Sequence, residues 1–254
     1  MIPQANAPTL LAFFAHPDDE AFSCAGTLAA AAAMGCDVRV ICATRGEGGR
    51  DRATGATGAA LARARSGELA ASCAALGIRP PVFLDHPDGG LEDHADALAH
   101  SLGDALADSL ADVVEGSAPE VALTLGTDGA YGHRDHLACT AALGAVAAAR
   151  SLTVLHVVFP AELFTELRRR LSRSPVPLAP PPDAPATVDY RVDTRPFRDK
   201  KLAAIAAHRS QLVDDDPMSF LLPGLVEPLL DEECFAHAAG PALTAPLSDL
   251  FGGV

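Results

Sequence analysis

The sequence predicts an α/β fold, a Rossmann-like three-layer sandwich with a mostly parallel sheet. Three observations carry this expectation. Short apolar runs alternate with longer, Ala-rich amphipathic stretches up to about residue 160. Helices of that length between strands imply right-handed βαβ crossovers. Two clusters of histidine and acid, AHPDDE at 15–20 and YGHRDH at 131–136, each stand just past an apolar run. Ligands of open α/β sheets bind at the carboxyl ends of strands. The length, 254 residues, suits one substantial domain.

The elements follow in order. Residues 9–14 (TLLAFF) read as a buried first strand and 21–34 as its helix, stopped at Gly35. Residues 37–43 (DVRVICA) form a second strand, and 58–76 a second helix ending at Gly77. A third unit starts at 81–84, with a helix over about 91–114. Residues 120–125 (EVALTL) are the fourth strand, followed by a helix over about 133–150, and 153–159 (TVLHVVF) are the fifth. Regularity then breaks. The stretch 172–186 holds six prolines and reads as an exposed loop or a lid beside the site. Residues 187–192 alternate like a strand, 195–211 like a helix, and the tail beyond Asp214 reads as mostly irregular. The whole chain, 1–254, is expected to be a single domain.

Composition bounds the partners. The formal net charge of −14 argues against nucleic acid, whose phosphates need a basic stripe. No apolar run reaches the roughly 18 residues of a membrane span. The N-terminus lacks a basic region ahead of its apolar run, so that run reads as a core strand and not a signal peptide. Six scattered cysteines with no CxxC pair read as reduced thiols, and the expected setting is cytoplasmic.

The two clusters point to hydrolysis. Imidazole and carboxylate are the ligand types that hold a catalytic zinc with one position open. Pro17 with Asp18 and Asp19 is also good helix-start chemistry, but capping does not call for a histidine ahead of the acids. His133 and His136, three apart, share a helical face. An amide is a poor electrophile, and its amine cannot leave as an anion. Hydrolysis therefore needs a metal, a base and an acid for the nitrogen. Asp135, next to both His133 and His136, is placed to orient an imidazole through its second nitrogen. No GxGxxG follows the first strand and there is no GxSxG elbow, so dinucleotide and serine-hydrolase readings lack support.

These residues resemble the PIG-L/LmbE family of zinc-dependent N-deacetylases, which includes the deacetylase and amidase of mycothiol metabolism. AHPDDE and YGHRDH resemble its two metal signatures, with Arg134 where proline is common. Thr44-Arg45-Gly46-Glu47-Gly48, Arg65-Ser66-Gly67-Glu68, Pro87-Asp88-Gly89 and His208-Arg209-Ser210-Gln211 resemble its TxGEG, RxxE, D-G and HxSQ elements. The resemblance implies His16, Asp19 and His136 as ligands for Zn²⁺, or Fe²⁺ in the cell. It implies Asp18 as general base, His133 as a protonated partner to the leaving amine, and Tyr131 as a stabiliser of the oxyanion. Glu47, Arg65 and Asp88 would contact sugar hydroxyls. His208 is lifted only to the wall of the site. The expected substrate is a small N-acetylated glycoside of N-acetylglucosamine type. Alternatives are an amidase cleaving a larger N-acyl group, such as a mycothiol conjugate, and a catalytically silent carbohydrate-binding protein.

Overall fold

The structure is a computed structural model, and it describes residues 9–111, 121–150, 152–173, 178–181 and 186–243. Seven strands form one sheet: β1 (Thr9–Phe14), β2 (Asp37–Cys42), β3 (Val82–Phe83), β4 (Val121–Leu125), β5 (Thr153–Val158), β6 (Tyr190–Asp193) and β7 (Glu232–Ala239). Their order is β3-β2-β1-β4-β5-β7-β6. The first five run parallel, while β7 is antiparallel to both β5 and β6. The helices are α1 (Asp19–Ser23), α2 (Ala25–Ala33), α3 (Gly58–Leu76), α4 (Ala95–Ala111), α5 (Gly129–Gly132, one distorted turn), α6 (Arg134–Ala148), α7 (Thr165–Leu171) and α8 (Arg198–Ala207). No described helix is long and apolar enough to cross a membrane.

Strand β1 shows why the sandwich has three layers. Leu10, Ala12 and Phe14 pack into one core with residues of α2, α3 and α8, such as Leu28, Leu69 and Ile205. Leu11, Phe13 and Ala15 pack into a second core with Leu98, Leu102 and Leu143 from α4 and α6. A central parallel strand buried on both faces reads as a continuous apolar run, not an alternating one. This is why TLLAFF was legible.

Several expected elements are corrected. The first helix starts at Asp19 and breaks at Cys24, whose φ of −147° and ψ of 17° are not helical. The fourth unit's helix starts at Arg134, with His133 as its N-cap. The expected helix over 195–211 is α8 flanked by single 3₁₀ turns at Arg195–Phe197 and Arg209–Gln211. The strand expected at 187–192 forms at Tyr190–Asp193. The tail holds the eight-residue β7, inserted between β5 and β6. Its sequence, EECFAHAA, has none of the β-branched residues that mark a strand locally, so pairing on both edges decides it. The end of the helix expected over 91–114 and parts of the Pro-rich stretch lie outside the described residues.

Candidate metal-dependent active site

Strands β1 and β4 are neighbours, so the segments leaving their carboxyl ends meet. The AHPDDE turn follows β1 and the GAYGHRDH turn follows β4. His16 Nδ1 and His136 Nε2 lie 3.3 Å apart. Asp19 Oδ1 is 3.2 Å from His136 Nε2, and Asp19 Oδ2 is 3.6 Å from His16 Nδ1. Bonds of 2.0–2.1 Å to a tetrahedral ion put ligand atoms about 3.4 Å apart. Each pair of the three groups thus approaches to about that spacing, Asp19 turning Oδ1 toward His136 and Oδ2 toward His16. His133 completes a ring-nitrogen set within 4.8 Å of His16 and His136. Its Nδ1 is already engaged, however, accepting the Asp135 backbone N–H at 3.3 Å.

The far nitrogens of both imidazoles are anchored. His136 Nδ1 faces the Gly129 carbonyl at 3.0 Å. His16 Nε2 faces Asp88 Oδ1 at 3.1 Å and Asp135 Oδ2 at 3.3 Å. Such partners fix the tautomer that leaves the inward nitrogen free as a ligand. Burial pulls His16 down, but Asp88, Asp135 and Asp19 hold it well above the ordinary imidazole value. Burial would raise Asp19, yet His136 and His16 hold its carboxyl well below the usual range.

Asp18 stands beside this set. Its backbone φ of 123° and ψ of −21° are strained for a residue with a Cβ. Such a conformation costs roughly 1–3 kcal/mol and persists only where the surroundings enforce it. Arg65, 5 % exposed, enforces part of it. Its Nη2 lies 3.0 Å from Asp18 Oδ2 and donates to the Pro17 carbonyl, while Nη1 donates to Gly46 O at 3.2 Å. Gly46, at φ 71°, leaves room where any Cβ would run into that guanidinium. Burial pushes Asp18 up to about 6, against the pull of Arg65.

The remaining expected residues are placed as follows. Asp88 and Arg65 are occupied by His16 and Asp18, and Glu47 Oε1 accepts the Asp88 N–H at 3.0 Å. Asp88 Oδ2 also accepts the Gly48 N–H at 2.8 Å. Tyr131 packs edge-on against His136 and Phe164, and burial drives its phenol well up. Two expectations change. The Asp135 carboxylate hydrogen-bonds neither His133 nor His136, and only its backbone N–H reaches His133 Nδ1. The carboxylate faces the loop after β3, accepting the Gly89 and Leu91 N–H groups and holding His16. His133, expected to be protonated, is pushed down to about 3 by burial and by the neighbouring His16 and His136. A bound cation would push it the same way.

The sequence reading missed the group behind Asp18. Glu20, Ser72 and His208 form a buried trio, and their separation in sequence hid it. Within the Pro-rich stretch, the described Ala179 contacts the α5 turn. Ala179 N–H donates to Gly132 O at 2.8 Å, and Arg168 donates to Ala179 O at 2.9 Å. A cavity of about 290 Å³ is lined by Asp128, Phe159, Phe164, Arg168, Pro181 and Ala186 among others.

Comparison with known proteins shows the family and the fold. Residues 11–147 match the PIG-L family, described as GlcNAc-PI de-N-acetylase. The 1D-myo-inositol 2-acetamido-2-deoxy-alpha-D-glucopyranoside deacetylase of Saccharomonospora viridis is 32% identical over 271 residues, covering 96% of this chain and 100% of the relative. Among solved structures, N,N'-diacetylchitobiose deacetylase from Pyrococcus horikoshii matches with a TM-score of 0.64 and 22% identity, over 93% of this chain and 85% of that one. The 4-carboxy-2-hydroxymuconate hydratase GalB from Pseudomonas putida KT2440 matches with a TM-score of 0.59 and 17% identity, over 94% and 98%. The last two show the fold alone, and one of them performs a different reaction.

Proposed function

This chain belongs to the PIG-L family, and from that premise we propose that it is a metal-dependent N-deacetylase, removing the acetyl group from an N-acetylglucosamine-type amide in a small glycoside. The observation that carries the reading is the gathering of His16, Asp19 and His136 within 3.6 Å of one another, next to a separate carboxylate, Asp18, paired to Arg65. The full-length similarity to a deacetylase of an acetamido-sugar inositol supports the substrate class. The fold does not, since it also serves a hydratase.

The donor set of two imidazoles and a carboxylate fits Zn²⁺, or Fe²⁺ in the cell. Such an ion would polarise the amide carbonyl and lower the pKa of water. Asp18, ionised above about pH 6, takes the proton of the attacking water and then passes it to the amide nitrogen as the C–N bond breaks. His133 rests neutral with its proton on Nε2, because Nδ1 accepts the Asp135 N–H. That Nε2–H is a donor for the developing oxyanion, and the Tyr131 hydroxyl, kept protonated by burial, is a second. Glu47, half-buried with Oε1 on the Asp88 N–H, would bind a sugar hydroxyl with its remaining oxygen.

The reading takes the chain as one domain with the Pro-rich loop 172–186 at the aglycone side, supported by the Ala179–Gly132 contact. Six free cysteines support a cytoplasmic setting. The test is a panel of N-acetylglucosaminides, including a GlcNAc-inositol and N,N'-diacetylchitobiose, incubated with Zn²⁺-loaded protein. Acetate and free amine should appear in equal amounts from at least one. Metal-replete protein releasing no acetate from any of them overturns the proposal.

A further inference from the structure

One buried acid of the AHPDDE turn has no part in the chemistry described so far. The Glu20 side chain is 1 % exposed and takes three hydrogen bonds. Its Oε2 accepts the Asp18 backbone N–H at 3.1 Å. Its Oε1 accepts the Ser72 hydroxyl of α3 at 2.6 Å and faces His208 Nε2, at the end of α8, at 2.8 Å. Helix capping explains only the first of these, since an acid early in a helix often reaches back to the N-cap N–H. A capping acid needs neither a buried hydroxyl nor a buried imidazole behind it.

His208 makes the point independently. It is fully buried, and its Nδ1 has no hydrogen-bond partner. An imidazole with one unsatisfied buried nitrogen is a poor core residue, and an apolar side chain of similar size would pack there without that penalty. Its contact with Glu20 is what the position provides.

The object held is the strained peptide at Asp18. Arg65 grips the Pro17 carbonyl and the Asp18 carboxylate, the Ala21 N–H donates to Asp18 O at 3.0 Å, and Glu20 takes the Asp18 N–H. Without Glu20, that N–H is a buried donor with no acceptor. The peptide then rotates to find one, and the carboxylate turns with it.

We propose that Glu20, backed by His208 and Ser72, is a positioning residue that clamps the Asp18 peptide so that the Asp18 carboxylate faces the metal-ligand cluster. The proposal rests on Asp18 being the base of the deacetylation above, and its consequence for rate passes through that residue alone.

The experiment compares Glu20→Ala, Glu20→Gln and His208→Ala, each in the wild-type and Asp18→Asn backgrounds. The readouts are kcat, KM and metal content, with the panel glycoside that releases acetate fastest as substrate. Displacing a catalytic group by about 1 Å costs on the order of 10²-fold, and Glu20→Ala should lower kcat by that order. KM and metal content should stay at wild-type levels. Glutamine retains one acceptor oxygen for the Asp18 N–H, so Glu20→Gln should recover much of the loss. In the Asp18→Asn background, Glu20→Ala should slow the reaction no further. A multiplicative loss in that background, or a loss of metal with rate, overturns the proposal. A crystal structure of a Glu20 or His208 variant decides the clamp without reference to activity. Asp18 should relax to negative φ with its Arg65 ion pair broken, and an unchanged Asp18 overturns the proposal. If Asp18→Asn alone leaves the rate intact, the base assignment fails, and the crystal structure still decides whether Glu20 holds Asp18.

Discussion

Asp135 Oδ2 lies 3.3 Å from Nε2 of His16, a residue 119 positions earlier, while its carboxylate hydrogen-bonds neither histidine of its own motif. The anion therefore fixes the ring that presents Nδ1 to the cluster. Partners of this kind typically contribute 10–100-fold in metal affinity. Asp135→Asn is expected to weaken Zn²⁺ binding by roughly that factor, measured by chelator competition. Unchanged affinity would place the whole burden on Asp88.

The neighbouring aspartates Asp18 and Asp19 should fail differently under the same change. Asp19→Asn swaps the proposed anionic ligand for a neutral amide, so metal content and activity should fall together. Asp18→Asn keeps the metal and loses the proton acceptor, a loss of about 10²–10⁴-fold in kcat. Metal analysis beside kcat separates the two, and the reverse pattern exchanges their roles.

The pH dependence follows from Arg65. With Asp18 as the proposed base, activity should fall on the acid side as the carboxylate, pushed up to about 6 by burial, takes a proton. A bound cation favours the anion, which places the acid limb of kcat/KM at or below that value. Arg65 also favours the anion. Removing its charge in Arg65→Gln raises the Asp18 pKa and should move the acid limb to higher pH. A shift to lower pH contradicts the ion pair.

Away from the site, Lys201 Nζ donates to Glu233 Oε1 at 2.6 Å, both side chains being buried. Glu233 also accepts the Gly26 and Thr27 N–H groups at the start of α2, tying β7 to that helix. Removing one partner of a buried pair strands the other charge and costs roughly 3–5 kcal/mol. Lys201→Met should destabilise the fold by about that amount in denaturant unfolding, and adding Glu233→Gln should recover part of it.

Gly132, at φ 92°, sits where the Pro-rich stretch touches the site turn. A Cβ there would lie 2.7 Å from Ala179 O and would crowd the Arg168 guanidinium. Gly132→Ala should release that contact and change relative rates across glycosides with different aglycones, with metal content unchanged. Identical relative rates would make the stretch a bystander.

Much of this protein was legible in local sequence. β1, β2, β4 and β5 are short apolar runs, and α3 ends at Gly77, which takes the left-handed conformation its position requires. The meeting of His16, Asp19 and His136 was legible because both motifs follow strands, β1 and β4, that pair. Strand β7 was not, because EECFAHAA lacks strand composition and exists as a strand only between two paired edges.

By itself the sequence determined the three-layer α/β plan and the kinds of groups gathered at the sheet's carboxyl end, since periodicity and strand-end motifs are properties of neighbouring residues. Only the tertiary structure decided which of those groups serve one another. Asp135 turned to His16 instead of its own neighbours, burial among imidazoles left His133 neutral, and Glu20 met a histidine 188 residues away to hold Asp18. Hydrogen-bond partners and pKa values depend on distance and burial in space, and these are set when β1, α3, α6 and α8 pack together.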